Sequence, residues 1–236
     1  MRFIEHIVEP DKLLLSWQSP DGEDKLRRFV VELTRRGDDA DLVYLKDTED
    51  FSQAVSMGFE EYKGLPIAQK HHANVLSCFM KRLPPRSRRD FDKYLASIRI
   101  SPGSDISDFA LLGYSGAKLP DDNFTIVHPF SNAQPPFELL VYSQGYRYWM
   151  QSLPLEGLHV GMKAQLEVEP DNPWDPNAVC ITINGLKAGY VSRGLATQVR
   201  QWMREGHVLD AAVERINGTV ERPSLFLYLT VRQAAS

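Results

Sequence analysis

An indole and a carboxylate stand side by side at Trp174-Asp175, inside Glu169-Pro170-Asp171-Asn172-Pro173-Trp174-Asp175-Pro176-Asn177-Ala178-Val179. An aromatic face can stack on another flat ring, and an ionised carboxylate can only accept hydrogen bonds. The stretch around them is stiff. Three prolines at spacing three fix φ and remove backbone donors, so the stretch is neither a helix interior nor a central strand. Asp and Asn beside Pro favour tight turns closed by side chain to backbone bonds. The expectation is a rigid loop between two strand-like runs, Ala164 to Val168 and Ala178 to Ile183. Two other readings stand beside the binding one. Trp174 could simply pack inward in a strand connection, or Asp171, Asn172, Asp175 and Asn177 could hold calcium. The second lacks the acidic alternation and closing bidentate Glu of an EF-hand.

The elements that must position this loop are short strands. In the last hundred residues, strand-like runs begin at Phe137, Ala164, Ala178, Lys187, His207 and Ser224. Asn184-Gly185 is a two-residue hairpin signal. One helix, about Gly194 to Arg204 and closed by Gly206, interrupts the strands. This pattern predicts a small all-β barrel resembling an OB-fold, with one helix.

The first part reads as an α+β module over residues 1–130. Leu13 to Trp17 and Arg28 to Leu33 flank a turn at Ser19-Pro20-Asp21-Gly22. A strand Asp41 to Leu45 follows, and Thr48 caps a helix ending near Gly58. Residues 71–99 read as two helices, the second capped by Ser87 with Asp90. A short helix spans Asp105 to Leu112, and Phe124 to Pro129 reads as a strand. Ser131 to Pro136 is the linker candidate, which sets the second domain at residues 137–232.

Composition limits the function classes. The 236 residues are 43% apolar with a net charge of −4, which argues against a generic nucleic-acid coat but not against a local site. Residues 81–99 carry seven basic and two acidic side chains, either a solvated helix face or a nucleic-acid track. Two distant cysteines make no disulfide framework. No apolar run is long enough to span a bilayer, and the N-terminus does not read as a secretion signal, so a cytoplasmic protein is expected. His71, His72 and Cys78 do not match a zinc spacing. Gly113-Tyr114-Ser115-Gly116 is not a nucleophile elbow. The sequence offers no catalytic constellation, metal site or cofactor motif, so no enzyme is expected.

Four pieces in order carry a family resemblance: Gly145-Tyr146-Arg147-Tyr148-Trp149, Gly161-Met162, the loop 169–179, and Gly189-Tyr190-Val191 entering a helix. Together they resemble a HIRAN domain. That resemblance implies an OB-like barrel that captures the free 3′-hydroxyl end of single-stranded DNA, in a repair, replication-fork or mobile-element setting in bacteria. It implies that Asp175 accepts a bond from the terminal hydroxyl and that Trp174 stacks a base. Tyr148 would complete the pocket from a neighbouring strand, and Arg147 and Arg193 would bind phosphate. Tyr190 joins these residues as a sixth DNA-binding candidate, standing where eukaryotic members often have His, and the basic pair after it is reduced to Ser192-Arg193. A late aromatic wall could come from Phe226 or Tyr228. The N-terminal part faintly resembles the first subdomain of HipA-type toxin kinases, without their kinase machinery. The partners implied are single-stranded DNA or DNA 3′ ends, with a helicase, nuclease or toxin-system protein in trans as a further class. A protein-interaction or regulatory module, with the barrel as scaffold, is the competing reading.

Overall fold

The computed structural model describes residues 2–20, 26–120, 122–219 and 221–234. The chain forms two compact units, one of Val8–Asn132 and one of Met1–Ile7 with Ala133–Ser236. Residues 2–7, which the sequence reading assigned to the first module, therefore pack with the second unit. Asp21 and Gly22 of the expected first turn lie outside the described residues.

The first unit is built on β1 (Lys12–Trp17), β2 (Arg28–Arg36), β3 (Asp39–Tyr44), β4 (His71–His72) and β5 (Phe124–Val127), with α1 (Glu49–Ser56), α2 (Leu76–Met80), α3 (Phe91–Ser97) and α4 (Asp108–Ser115). The strand order is β4-β3-β2-β1-β5. Alternation decides which face is buried: Leu13, Leu15 and Trp17 of β1 point into the core, as do Leu42 and Tyr44 of β3. Thr48 caps α1 as expected, its side chain accepting the Phe51 N–H at 3.2 Å.

Three local expectations change. His71-His72 is not helical but pairs with β3. Asp90, not Ser87, stands at the N-cap of α3, and its carboxylate is bound to Arg88. The short helix begins later, because the Ser107 hydroxyl caps it by accepting the Ala110 N–H at 3.0 Å.

Part of the basic run serves the structure. The Arg82 side chain is 1% exposed and ion-paired with Asp122. Its guanidinium also donates to the Tyr62 hydroxyl and the Ala117 carbonyl, both at 2.9 Å. Arg86 binds Asp108, Arg88 binds Asp90, and Arg99 is buried. Three of the seven cations are thus ion-paired, while Lys81, Arg89 and Lys93 stay exposed.

His128 is a buried polar group with both ring nitrogens used. Its Nδ1 accepts the Phe130 N–H at 2.9 Å, so its Nε2 carries the proton toward the Val8 carbonyl at 3.1 Å. The ring stacks on Phe130 at 3.7 Å. Burial pushes the imidazole down to about 4 from an ordinary 6.5. The unfolded chain therefore takes up a proton near pH 6.5 that the folded chain refuses until about pH 4. This contribution is complete above pH 6.5 and falls with pH through that window, a loss of roughly 3 kcal/mol. Urea titrations at a series of pH values are expected to show that loss, and His128→Gln to flatten it by about one proton.

The second unit is a six-stranded antiparallel sheet ordered β6-β11-β10-β7-β8-β9. Its strands are β6 (Phe137–Tyr142), β7 (Lys163–Val168), β8 (Val179–Ile183), β9 (Leu186–Tyr190), β10 (Val208–Gly218) and β11 (Pro223–Arg232), with α5 (Arg193–Arg204). The six expected strands and the helix all appear. Asn184 and Gly185 turn the β8–β9 hairpin at φ 52° and 75°, values that Asn and Gly tolerate. The α5 helix buries Leu195, Ala196, Val199 and Trp202, and Trp202 meets the Phe137 ring at 5.1 Å.

The outermost strands come together at one end. Just beyond β6, Gln144 exchanges two backbone bonds with Tyr190 of β9, at 2.8 and 2.9 Å. This β-rich unit is therefore barrel-like, its sheet edges pinned to each other beside the loop 169–178. Gly189 lies at the pinned point with φ +113°.

The N-terminal segment crosses the outside of this sheet. The Tyr228 hydroxyl donates to the Phe3 carbonyl at 2.7 Å, and Ile4 is buried. Arg2 pairs with Glu214 at 3.3 Å and lies over the Tyr228 ring. The buried Glu138 carboxylate accepts the Glu5 and His6 N–H groups at 3.0 and 3.1 Å. Among the described residues, no helix is long and apolar enough to cross a membrane.

Candidate functional site

The loop between β7 and β8 is closed by its own backbone. Glu169 N–H donates to the Ala178 carbonyl at 3.0 Å, and Ala178 N–H donates to the Asp175 carbonyl at 2.9 Å. Inside the loop, the Asn172 side-chain oxygen accepts the Trp174 and Asp175 N–H groups at 3.0 and 3.1 Å. The Asp175 carboxylate accepts the Asn177 N–H at 2.8 Å. These are the side-chain turns that Asn and Asp beside proline favour.

Trp174 is 80% exposed. The inward-packing reading therefore fails: the backbone is fixed and the ring is presented outward. An indole in water is a large apolar surface left uncovered.

Helix α5 holds the far side of the loop. Arg200 donates to the Pro176 carbonyl and, at 3.2 Å, to the Asn177 side chain. Arg193, the first residue of α5, places its Nε 3.7 Å from Asp175 Oδ2. The Asp175 side chain is 15% exposed. A carboxylate offers about four lone-pair directions, so these contacts leave it room for a further donor.

The loop's near side is held at Glu169. Its carboxylate receives Lys187, the Tyr190 hydroxyl at 2.8 Å and the Asn172 side-chain NH2 at 2.8 Å. These donors hold the Glu169 carboxyl below the usual range, the Lys187 bond first among them. That same bond raises Lys187. Desolvation, then the Glu169 contact, raises the Tyr190 phenol. Lys187 Nζ lies 5.2 Å from the Trp149 ring centre, within cation–π range.

Trp149 follows a single 3-10 turn, Tyr146–Tyr148. Arg147 and Tyr148 sit on that turn, not on a neighbouring strand as the sequence reading had Tyr148. Gly145 before it takes φ 75°, and the buried Tyr146 anchors it by donating to the Leu153 carbonyl at 2.7 Å. Tyr148 is 66% exposed, with the Arg147 guanidinium over its ring at 4.6 Å and bonded to its hydroxyl.

Of the six sequence-predicted residues, the structure ties Asp175 to Arg193, Tyr190 to the base of the loop, and Arg147 to Tyr148. Of the two late aromatics, Tyr228 is buried under the N-terminal segment. Phe226 meets the Tyr142 ring at 5.1 Å and the Arg215 guanidinium at 4.1 Å. Sequence reasoning anticipated the Asn172 turn but missed Glu169, Lys187 and Arg200 as supports of the loop. The hairpin register returns Tyr190 opposite Cys180, in the row of Glu167 and near Glu169, but it leaves Lys187 opposite Thr182 at the turn end, so only its long side chain reaches Glu169.

No protein-family model matches the chain, and no curated protein matches it. Two solved structures are similar. One is the HIRAN domain of human HLTF, 21% identical over 40% of this chain and 74% of that one, with a TM-score of 0.33. The other is a protein from Lactobacillus plantarum, 27% identical over 39% of this chain and 92% of that one, also with a TM-score of 0.33. The HipA-type resemblance of residues 1–130 finds no support in these comparisons.

Proposed function

We propose that the C-terminal unit is a non-enzymatic binding module for single-stranded DNA that reads a free 3′-hydroxyl end. The observation that carries this reading is the outward Trp174 ring on a backbone fixed at every turn, with Asp175 and Arg193 at its side. Stacking on an exposed aromatic contributes about 1–3 kcal/mol per base and tolerates any sequence. Arg193 and Arg147 supply phosphate contacts that weaken with salt. Asp175 accepts a bond from a terminal hydroxyl, whereas a 3′-phosphate meets carboxylate repulsion.

Fluorescence anisotropy at fixed low salt tests the reading, with a short strand ending in 3′-OH, the same strand 3′-phosphorylated, and a blunt duplex. Tight binding to the free 3′-OH strand alone is expected. Asp175→Ala is expected to reduce the preference for the hydroxyl end. Arg193→Ala is expected to weaken all single strands and flatten the salt dependence by about one phosphate contact. Failure of wild type to bind any of the three ligands would reject the DNA reading in favour of a protein partner.

A further inference from the structure

One continuous set of hydrogen bonds runs from the β8–β9 hairpin to the two central residues of the loop. Lys187 and the Tyr190 hydroxyl donate to Glu169. Asn172 Nδ2 donates to Glu169 Oε2 at 2.8 Å, which turns Asn172 Oδ1 the other way, onto the Trp174 and Asp175 N–H groups. The amide can serve both ends only in this orientation, because its nitrogen donates and its oxygen accepts.

The residue at the centre has to be a carboxylate. Glu169 Oε1 takes Lys187, and Oε2 takes both Tyr190 and Asn172. Three donors from three directions suit a group with acceptors only. Glutamine would present an NH2 to at least one of them.

We infer that Glu169, Asn172 and Tyr190 are positioning residues for end recognition. Tyr190 acts through Glu169 and Asn172 to fix Trp174 and Asp175, and its hydroxyl is committed to that set of bonds rather than to the strand. This differs from the direct DNA-contact role expected of Tyr190 from sequence, and it rests on the proposed end-binding function.

The test uses the full chain as wild type, Tyr190→Phe and Glu169→Gln, with two readouts. The first is the ratio of affinities for 3′-OH and 3′-phosphate strands. The second is hydrogen exchange of the Trp174 and Asp175 amides in the free protein. In both variants the end preference is expected to fall about fivefold or more, the effect of one lost hydrogen bond. The two amides are expected to exchange several-fold faster. The salt dependence of Tyr190→Phe should match wild type, because no cation is changed. Equal weakening of both strands with unchanged amide exchange would mean that Tyr190 touches the strand directly, and would overturn the inference. Should wild type bind neither strand, the end-binding reading falls. Amide exchange then decides the positioning role alone, and wild-type exchange in both variants overturns it.

Discussion

Gly189→Ala is expected to lower the stability of the C-terminal unit by roughly 3–5 kcal/mol, through strain at positive φ added to overpacking. A Cβ there would lie 2.5 Å from the Gln144 carbonyl oxygen and closer still to the Ser143 hydroxyl, with the Tyr146 backbone nitrogen at 3.2 Å. Two of these neighbours are backbone atoms, and the Gln144 carbonyl is itself bonded to the Tyr190 N–H, so it can withdraw only by opening the bridge between the sheet edges. At φ +113° an alanine is strained even before contact. Gly185→Ala is the matched control. Its Cβ would meet nothing within 4 Å, leaving only the positive φ of the hairpin turn, a cost of about 1 kcal/mol. Urea unfolding of the two variants separates the terms. Equal midpoints would mean that the close approach at Gly189 contributes nothing and that the edges are held elsewhere.

Trp174→Ala is expected to weaken single-strand binding about 5- to 150-fold while leaving the unfolding midpoint in place. The first number is the stacking free energy of one base, about 1–3 kcal/mol. The second follows from exposure: a ring 80% in solvent has little packing to lose, and surface substitutions usually change stability by less than about 0.5 kcal/mol. Trp174→Phe should retain much of the affinity, since a smaller π-face still stacks. Anisotropy and urea titration on the same samples decide the matter. A large drop in stability with unchanged binding would return Trp174 to the role of a packing residue.

The sequence made the local chemistry of the second unit legible and its long-range partners illegible. The Asn184-Gly185 turn could be read because its backbone demands are met by those two residue types alone. The proline-punctuated loop could be read as rigid for the same reason. Which way Trp174 faces could not be read, because nothing in a turn's sequence distinguishes an indole over the core from one over water. Tyr148 was placed on a strand by the family resemblance of its motif, whereas Gly145 in the left-handed region starts a 3-10 turn there. The fate of the basic run was hidden by distance along the chain. Arg82 finds Asp122 forty residues away, and no local pattern announces a buried ion pair.

The first residues on the outside of the sheet also set an order of events during synthesis. His6 meets Glu138 across 132 residues, and Phe3 meets Tyr228 across 225. At about 5–20 residues per second, a ribosome takes on the order of ten seconds or more to deliver that last partner. By then residues 8–132 have long left the exit tunnel, and the unit they form has had time to complete itself. The segment around Phe3 completes its contacts only once β11 is made, because the Tyr228 hydroxyl that holds the Phe3 carbonyl lies on that strand. A nascent chain that stalls before Tyr228 carries one finished unit and one that still lacks its last strand.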